Sequence, residues 1–189
     1  MKTANIKQTL IFTALLFFSI FSYAQNRLLT DNTHIRFFST TPAEDIESNN
    51  YASTSTINLE NGNVVFSVPM QSFEFEKSLM QRHFNQRRFL HTSEYPTGRL
   101  VGKITNLDQI DFSTNGEYEA HVEGELTIKG VTNKIRETGT IKVNGDVIEA
   151  RSVFFVTLAD YDITFSRGKP SSNIADKVEV TVVAKYRKE

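Results

Sequence analysis

The sequence predicts an all-β, antiparallel fold, and three observations lead there. The first is the stretch Gly116 to Val143, in which Tyr118, Ala120, Val122, Leu126 and Ile128 share one parity with Gly124. Glu117, Glu119, His121, Glu123, Glu125, Thr127 and Lys129 fall on the other. After Lys129-Gly130 the alternation resumes, with Val131, Ile135, Ile141 and Val143 opposite Thr132, Lys134, Arg136, Thr138, Thr140 and Lys142. A period of two puts one face of a strand in a core and the other in water. The second is punctuation: Asn61-Gly62, Lys129-Gly130 and Asn144-Gly145 each stand between strand-like runs, as short hairpin turns do. The third is that the period of two fails in one place, Gln71 to Tyr95. A dozen strand residues span roughly 40 Å, which is long for an ordinary sheet, so a tall, curved sheet is expected.

In chain order, Arg27 to Thr40 reads as a first strand broken at Asp31-Asn32, with Ile35-Arg36-Phe37 carrying the alternation. Pro42 to Asn50 is polar and acidic and reads as a connection. Ala52 to Leu59 is rich in β-branched residues and reads as a second strand. Asn63 to Val68 follows the Asn-Gly turn, with Val64, Phe66 and Val68 on one side, and Pro69 ends or bends it. Within Gln71 to Tyr95, Phe75, Leu79 and Phe84 recur at helical spacing, which predicts a helix of two to three turns and a further short turn that cap or wall one end of the sheet. Gly98 to Ile104 returns to strand, and Asn106 to Ser113 is a turn. The central hairpin follows, then Val147 to Thr157, apolar on both faces at Val153 to Val156 and so expected to be covered on both sides there. Leu158 to Ile174 reads as a long loop. Lys177 to Tyr186 is the last strand, with Val178, Val180, Val182, Ala184 and Tyr186 facing inward. Seven or eight antiparallel strands leave two layouts open, a closed barrel or a two-sheet sandwich. Closure removes edges that strands this long would otherwise have to protect. The small inward residues Ala120, Gly124, Ala150 and Ala184 either leave volume in a barrel or make room for phenyl rings opposite.

The chain of 189 residues opens with Lys2 and Lys7, an apolar run from Leu10 to Phe21, and Ser22-Tyr23-Ala24. This is the three-part pattern of a secretory signal peptide, too short for a membrane span, with cleavage expected before Gln25. Residues 1–24 are therefore read as the signal and 25–189 as one domain, exported to a periplasm or the exterior. Taking Lys2 and Lys7 from the 21 basic residues leaves 19 against 22 acidic ones, a balance that gives no support to nucleic-acid binding. With no cysteine, disulfides, thiol chemistry and Cys-based metal sites are excluded, and the exported fold must hold by packing and sheet hydrogen bonds.

Three runs carry a family resemblance. Val122 to Val131 (VEGELTIKGV), continued by Thr132 and Lys134, is similar to a "G-x-L-T-I-x-G-V-T" run at the same hairpin in the YceI-like family of exported lipid-binding proteins. His83-Phe84, Arg88-Phe89-Leu90 and Glu94-Tyr95-Pro96 resemble that family's His-Leu, Asp-Phe and Tyr-Pro pairs in order, with Arg88 in place of the usual Asp. Thr33-His34-Ile35-Arg36-Phe37 resembles its first strand. The resemblance implies an eight-stranded, lipocalin-like antiparallel β-barrel with a helix beside or over one end. It also implies an apolar tunnel for a long isoprenoid or similar amphiphile.

No catalytic motif is present: no Gly-x-Ser-x-Gly elbow, no phosphate loop, no His-Glu-x-x-His. His83 and His91 with Glu94 have the residue types of a metal site, but a capping His83 and a surface His91 are the favoured reading, so no metal or cofactor is expected. Arg82, Arg87 and Arg88 are candidates for a headgroup phosphate or carboxylate, against ordinary pairing with Glu74, Glu76 and Glu94. The expected ligand-lining set is Phe37, Phe66, Phe75, Leu79, Phe84, Phe89, Val122, Leu126, Phe154 and Phe165. Phenylalanine abundance alone does not separate a lined tunnel from a filled core, because burying apolar surface contributes about 25 cal/mol per Å² in either. The leading expectation is a non-enzymatic protein that binds or transports a lipid or other long apolar molecule, with transient membrane contact through the helical insert as a further reading. The alternative is a structural or interaction β-domain with a filled core. An enzyme would need converging polar groups, and the sequence supplies no recognisable set.

Overall fold

The computed structural model describes residues 26–164 and 173–188. The expected signal segment and Phe165 lie outside the described residues. The strands are β1 (Arg27–Thr40), β2 (Asp45–Asn58), β3 (Asn63–Pro69), β4 (Phe73–Phe75), β5 (Thr97–Ile104), β6 (Gly116–Ile128), β7 (Val131–Asn144), β8 (Val147–Thr157) and β9 (Lys177–Arg187), with one helix, α1 (Ser78–Asn85), between β4 and β5. They pair antiparallel in the order β1-β9-β8-β7-β6-β5-β3-β2, and β2 pairs back onto β1, which closes the sheet. β3 pairs with Thr54 to Ile57 of β2, and β4 with Ser48 to Asn50 further along the same edge. They are two pieces of one wall position, interrupted where Pro69 lacks an N–H and Met70–Ser72 form a 3-10 turn. The fold is an eight-stranded antiparallel barrel with one short helix.

The turns form where the sequence punctuates them. Lys129 and Gly130 both have positive φ, 51° and 78°, as a two-residue hairpin requires. β1 is irregular between Thr30 and Ile35, the expected break. β6 and β7 pair along their whole length, from Gly116 opposite Val143 to Ile128 opposite Val131. β7 and β8 do not. Their ladder runs from Asn144 opposite Val147 only as far as Gly139 opposite Ser152. Beyond it the strands part, and the end of the gap is bridged by the 3-10 turn Leu158–Tyr161, whose Asp160 carbonyl accepts from the Asn133 side-chain amide at 2.6 Å.

Two expectations are corrected. Asp45 to Asn50 is strand, not connection. Its inward residues Ser48 and Asn50 are polar yet fully buried, and their side chains donate to the Glu74 and Pro69 carbonyls at 2.8 Å each. Buried polar groups so satisfied are compatible with a core, but they hide the apolar alternation. Val153 and Phe155 are not covered: Phe155 is 63% exposed, because β8 has solvent on its outer face.

The interior divides into two halves. At the end away from α1, Leu28, Ile57, Val64, Ile104, Ala120, Ile141, Val143, Ile148, Ala184 and Tyr186 form a filled core, closed by Leu107, Ile110 and Phe112. The Tyr186 hydroxyl donates to Ser55 Oγ at 2.8 Å, and Ser55 also bonds Thr33 Oγ1 at 2.8 Å. At the α1 end a second set, including Ile35, Met70, Phe73, Phe84, Leu90, Val156, Leu158 and Val178, packs around a space rather than across it. The small inward residues belong mainly to the filled half: Ala120 and Ala184 are at most 2% exposed.

Candidate functional site: an apolar chamber

The space is a chamber of about 1050 Å³, open at the α1 end. Its wall is built mainly by inward-facing residues: Ile35 and Phe37 from β1, Ile46 from β2, Phe66 and Val68 from β3, Leu100 from β5, Val122, Leu126 and Ile128 from β6, Ile135 from β7, Phe154 and Val156 from β8, and Val178, Val180 and Val182 from β9; Thr140 and Arg151 join it beside the parting of β7 and β8. Its floor is the filled core, reached at Ile57, Val64, Ile104, Ala120 and Ile141. The chamber is therefore blind. The apolar tunnel that the resemblance implies is confined to half the barrel, because Tyr186, Ile148 and their neighbours occupy the rest.

The lid is aromatic. Phe84 is the one buried residue of α1. Its ring lies 5.7 Å from Phe37, 5.4 Å from Phe73, 5.0 Å from Phe75 and 5.8 Å from Phe89, centroid to centroid. Tilted and offset pairs at these separations are favourable beyond their area. They fix an eight-residue helix that is too short to persist alone. Gln81 adds polar anchors: its amide donates to the Phe73 carbonyl at 2.6 Å, and its Oε1 accepts from the Phe75 N–H at 3.3 Å. A second tie crosses the mouth, where Lys77 Nζ is 2.9 Å from Glu44 Oε1. That lysine, with Asn173, holds the Glu44 carboxyl below its ordinary range.

Of the expected lining residues, Phe37, Phe66, Phe75, Leu79, Phe84, Phe89, Val122, Leu126 and Phe154 surround this one chamber. Leu79 stands at the mouth, 52% exposed. The basic trio separates: Arg88 lines the chamber, while Arg82 and Arg87 are exposed and away from it. Four other basic residues, Lys77, His83, Arg99 and Arg151, also line the cavity. His91 pairs with Glu94 at 3.0 Å. Among the described residues no group of three or more His, Cys, Asp or Glu is placed to hold a metal. Several charged lining residues lie outside the set expected from sequence, among them Glu44, Lys77, Arg99, Arg151 and Glu137; Glu137 is on the inward parity of β7, and burial raises its carboxyl above its ordinary range. The signal was available, since 137 has the parity of Val131, Ile135, Ile141 and Val143.

A closed antiparallel barrel with a blind apolar chamber under a short helical lid defines a lipocalin-like class of protein. The model of the YceI-like domain matches residues 27–186, and the chain belongs to that family. Among solved structures it is similar to a polyisoprenoid-binding domain from Saccharophagus degradans implicated in plant cell wall breakdown (TM-score 0.72, 12% identity, covering 87% of this chain and 99% of that one). It is also similar to Burkholderia cenocepacia BcnA (0.67, 16%, 80% and 94%) and to a Campylobacter jejuni YceI protein (0.55, 15%, 70% and 78%). At these identities the likeness is one of fold. No curated protein sequence matches the chain.

Proposed function

We infer that the chamber encloses the chain of a long apolar or amphiphilic molecule, isoprenoid-like in character, and that the protein is a non-catalytic carrier acting outside the cytoplasm. The observation that carries this reading is the chamber itself: about 1050 Å³ lined mainly by aliphatic and phenyl side chains and open at one end. Binding sites for small molecules are concave, mostly apolar and commonly about 300–1,000 Å³. Each buried methylene contributes about 0.8 kcal/mol, and association opposes it by some 4–15 kcal/mol. Micromolar affinity corresponds to about 8 kcal/mol, so on the order of fifteen to thirty buried carbons are needed. That length suits a chain rather than a compact ring. Arg88, and Lys77 beside its partner Glu44, line the α1 end, and their charge supports an anionic head that remains near water. The name of the Saccharophagus domain supports an isoprenoid class, and the pattern of residues 1–24 supports export.

The test is mass spectrometry of an organic extract from the full chain expressed with its N-terminal segment in a bacterial host and recovered from the periplasm. A stoichiometric long-chain species is expected. Recovery of no such species, together with failure to take up farnesol or palmitate afterwards, would overturn the reading.

A further inference from the structure

The inward positions of β7 from Val131 to Val143 are apolar or glycine except at Asn133 and Glu137. Asn133 is accounted for by its bond to the Asp160 carbonyl. Glu137 is not. Among the described residues its carboxylate makes no hydrogen bond and no ion pair, although it lines a mainly apolar chamber; the Tyr161 phenol is near enough to feel its charge. Its position is deep. Its register partner on β6 is Val122, which packs on the filled core, and the next inward residues of β7 are Gly139 and then Ile141 of that core. It also lies where β7 and β8 part, one inward position beyond the last ladder pair, Gly139 and Ser152. The Ser152 hydroxyl, the nearest polar side chain on the β8 side of that pair, is committed to the Thr138 carbonyl at 2.8 Å. Of the basic residues that line the same space, Lys77, His83 and Arg88 belong to the α1 end, Arg99 to β5 and Arg151 to β8 opposite Thr140, and none forms an ion pair with it.

A carboxyl group in such a place is unfavourable until a donor reaches it. We propose that Glu137 determines specificity at the chamber floor, selecting chains whose inner end carries an O–H or N–H donor and excluding chains whose inner end is anionic. The selection has a simple basis. A donor meets an acceptor already held on a strand, without reorganisation. A second carboxylate or a phosphate meets a like charge at close range on a half-buried wall. A purely hydrocarbon end leaves the carboxyl unpartnered. Sites that hydrogen-bond one ligand group discriminate strongly against analogues that lack it. The inference rests on the reading of the chamber as a chain-binding site. It adds that the cargo is polar at both ends: an anionic or hydrated head at the rim and a donor at the tip.

The experiment uses probes of one length that share a rim carboxylate and differ at the other end: palmitate, its ω-hydroxy and ω-amino derivatives, and hexadecanedioate. Each displaces a fluorescent apolar dye from the full chain and from Glu137→Leu and Glu137→Gln. In the unmodified protein the ω-hydroxy and ω-amino acids are expected to bind about 10-fold or more tighter than the diacid. In Glu137→Leu the order inverts in favour of palmitate. In Glu137→Gln the ω-hydroxy acid keeps its affinity and the ω-amino acid loses its advantage. Equal binding of the diacid and the hydroxy acid to the unmodified protein would overturn the proposal, as would an order unchanged in Glu137→Leu. If palmitate itself and all its derivatives fail to displace the dye, the chamber reading falls, and this proposal with it. If palmitate binds but the ω-group has no effect, only the role of Glu137 falls.

Discussion

Replacing Phe84 by Ala removes the centre of the lid. Phe84 is 6% exposed and touches four other phenyl rings. Truncating a core Phe to Ala costs about 3–5 kcal/mol, and four aromatic pairs at about 0.5–1.5 kcal/mol each give a similar range. One side of the ring already faces the chamber, where there are no partner atoms to lose, so the lower end, about 3 kcal/mol, is expected. Where that loss appears matters more than its size. α1 has eight residues and does not hold itself, while β6 and β7 are tied by an unbroken ladder. The loss therefore falls on local opening of the lid rather than on global unfolding. Native-state hydrogen exchange measures this directly. Amides of Gln81 to Leu90 should exchange about 100-fold faster, the equivalent of about 3 kcal/mol, with protection in β6 and β7 unchanged. Leu79→Ala, at a half-exposed position of the same helix, should change neither. Uniform acceleration across both regions, or no acceleration in α1, would refute the argument that the phenyl cluster holds the lid.

Other predictions follow from single contacts. A Cβ at Gly124 would lie 2.5 Å from the Val101 carbonyl oxygen and 2.6 Å from Gly102 Cα, backbone atoms that cannot swing aside. Gly124→Ala should thus destabilise by about 1–3 kcal/mol in urea titrations. Tyr186→Phe removes a buried hydrogen bond to Ser55 and should cost about 1 kcal/mol near neutrality, since Ser55 keeps Thr33 as a partner. Burial holds the Tyr186 phenol above its ordinary range, so the unmodified protein loses stability as the unfolded phenol ionises. The deficit of the Phe variant should therefore shrink in thermal melts taken above about pH 10. Glu137 has the same direction of shift among the carboxylates. Its folded form is favoured while protonated and loses stability as pH rises through and above the ordinary carboxylate range. Glu137→Gln should therefore raise Tm at pH 7, and the gain should vanish at pH 3.

Much of the fold was legible because its strands obey the pleat. The alternation of β6, β7 and β9 was readable, since one face is mainly apolar and the other mainly polar or charged, with Asn133 and Glu137 the exceptions on β7. The first half of β2 was not legible, because Ser48 and Asn50 face inward and satisfy themselves on Glu74 and Pro69 rather than by apolar contact. Three-residue β4 was hidden by the helical spacing of the residues after it. Within the site, the phenylalanines were identifiable but their arrangement was not. Packing a core and lining a cavity bury the same kind of surface, and the barrel does both, one in each half. Arg82, Arg87 and Arg88 looked equivalent in sequence. Only Arg88 reaches the chamber, since α1 ends at Asn85 and the chain turns through residues 86–95 before β5.

The measurement that bears most directly on the chamber is the dependence of affinity on chain length. Calorimetric titration with a series of straight-chain alcohols, differing by single methylenes, reports whether each added carbon enters apolar surroundings. Burial at about 0.8 kcal/mol per methylene predicts roughly fourfold tighter binding per carbon, continuing until the blind end is reached and then levelling off. An affinity indifferent to length, or no binding by any member of the series, would contradict an enclosed chain-binding chamber.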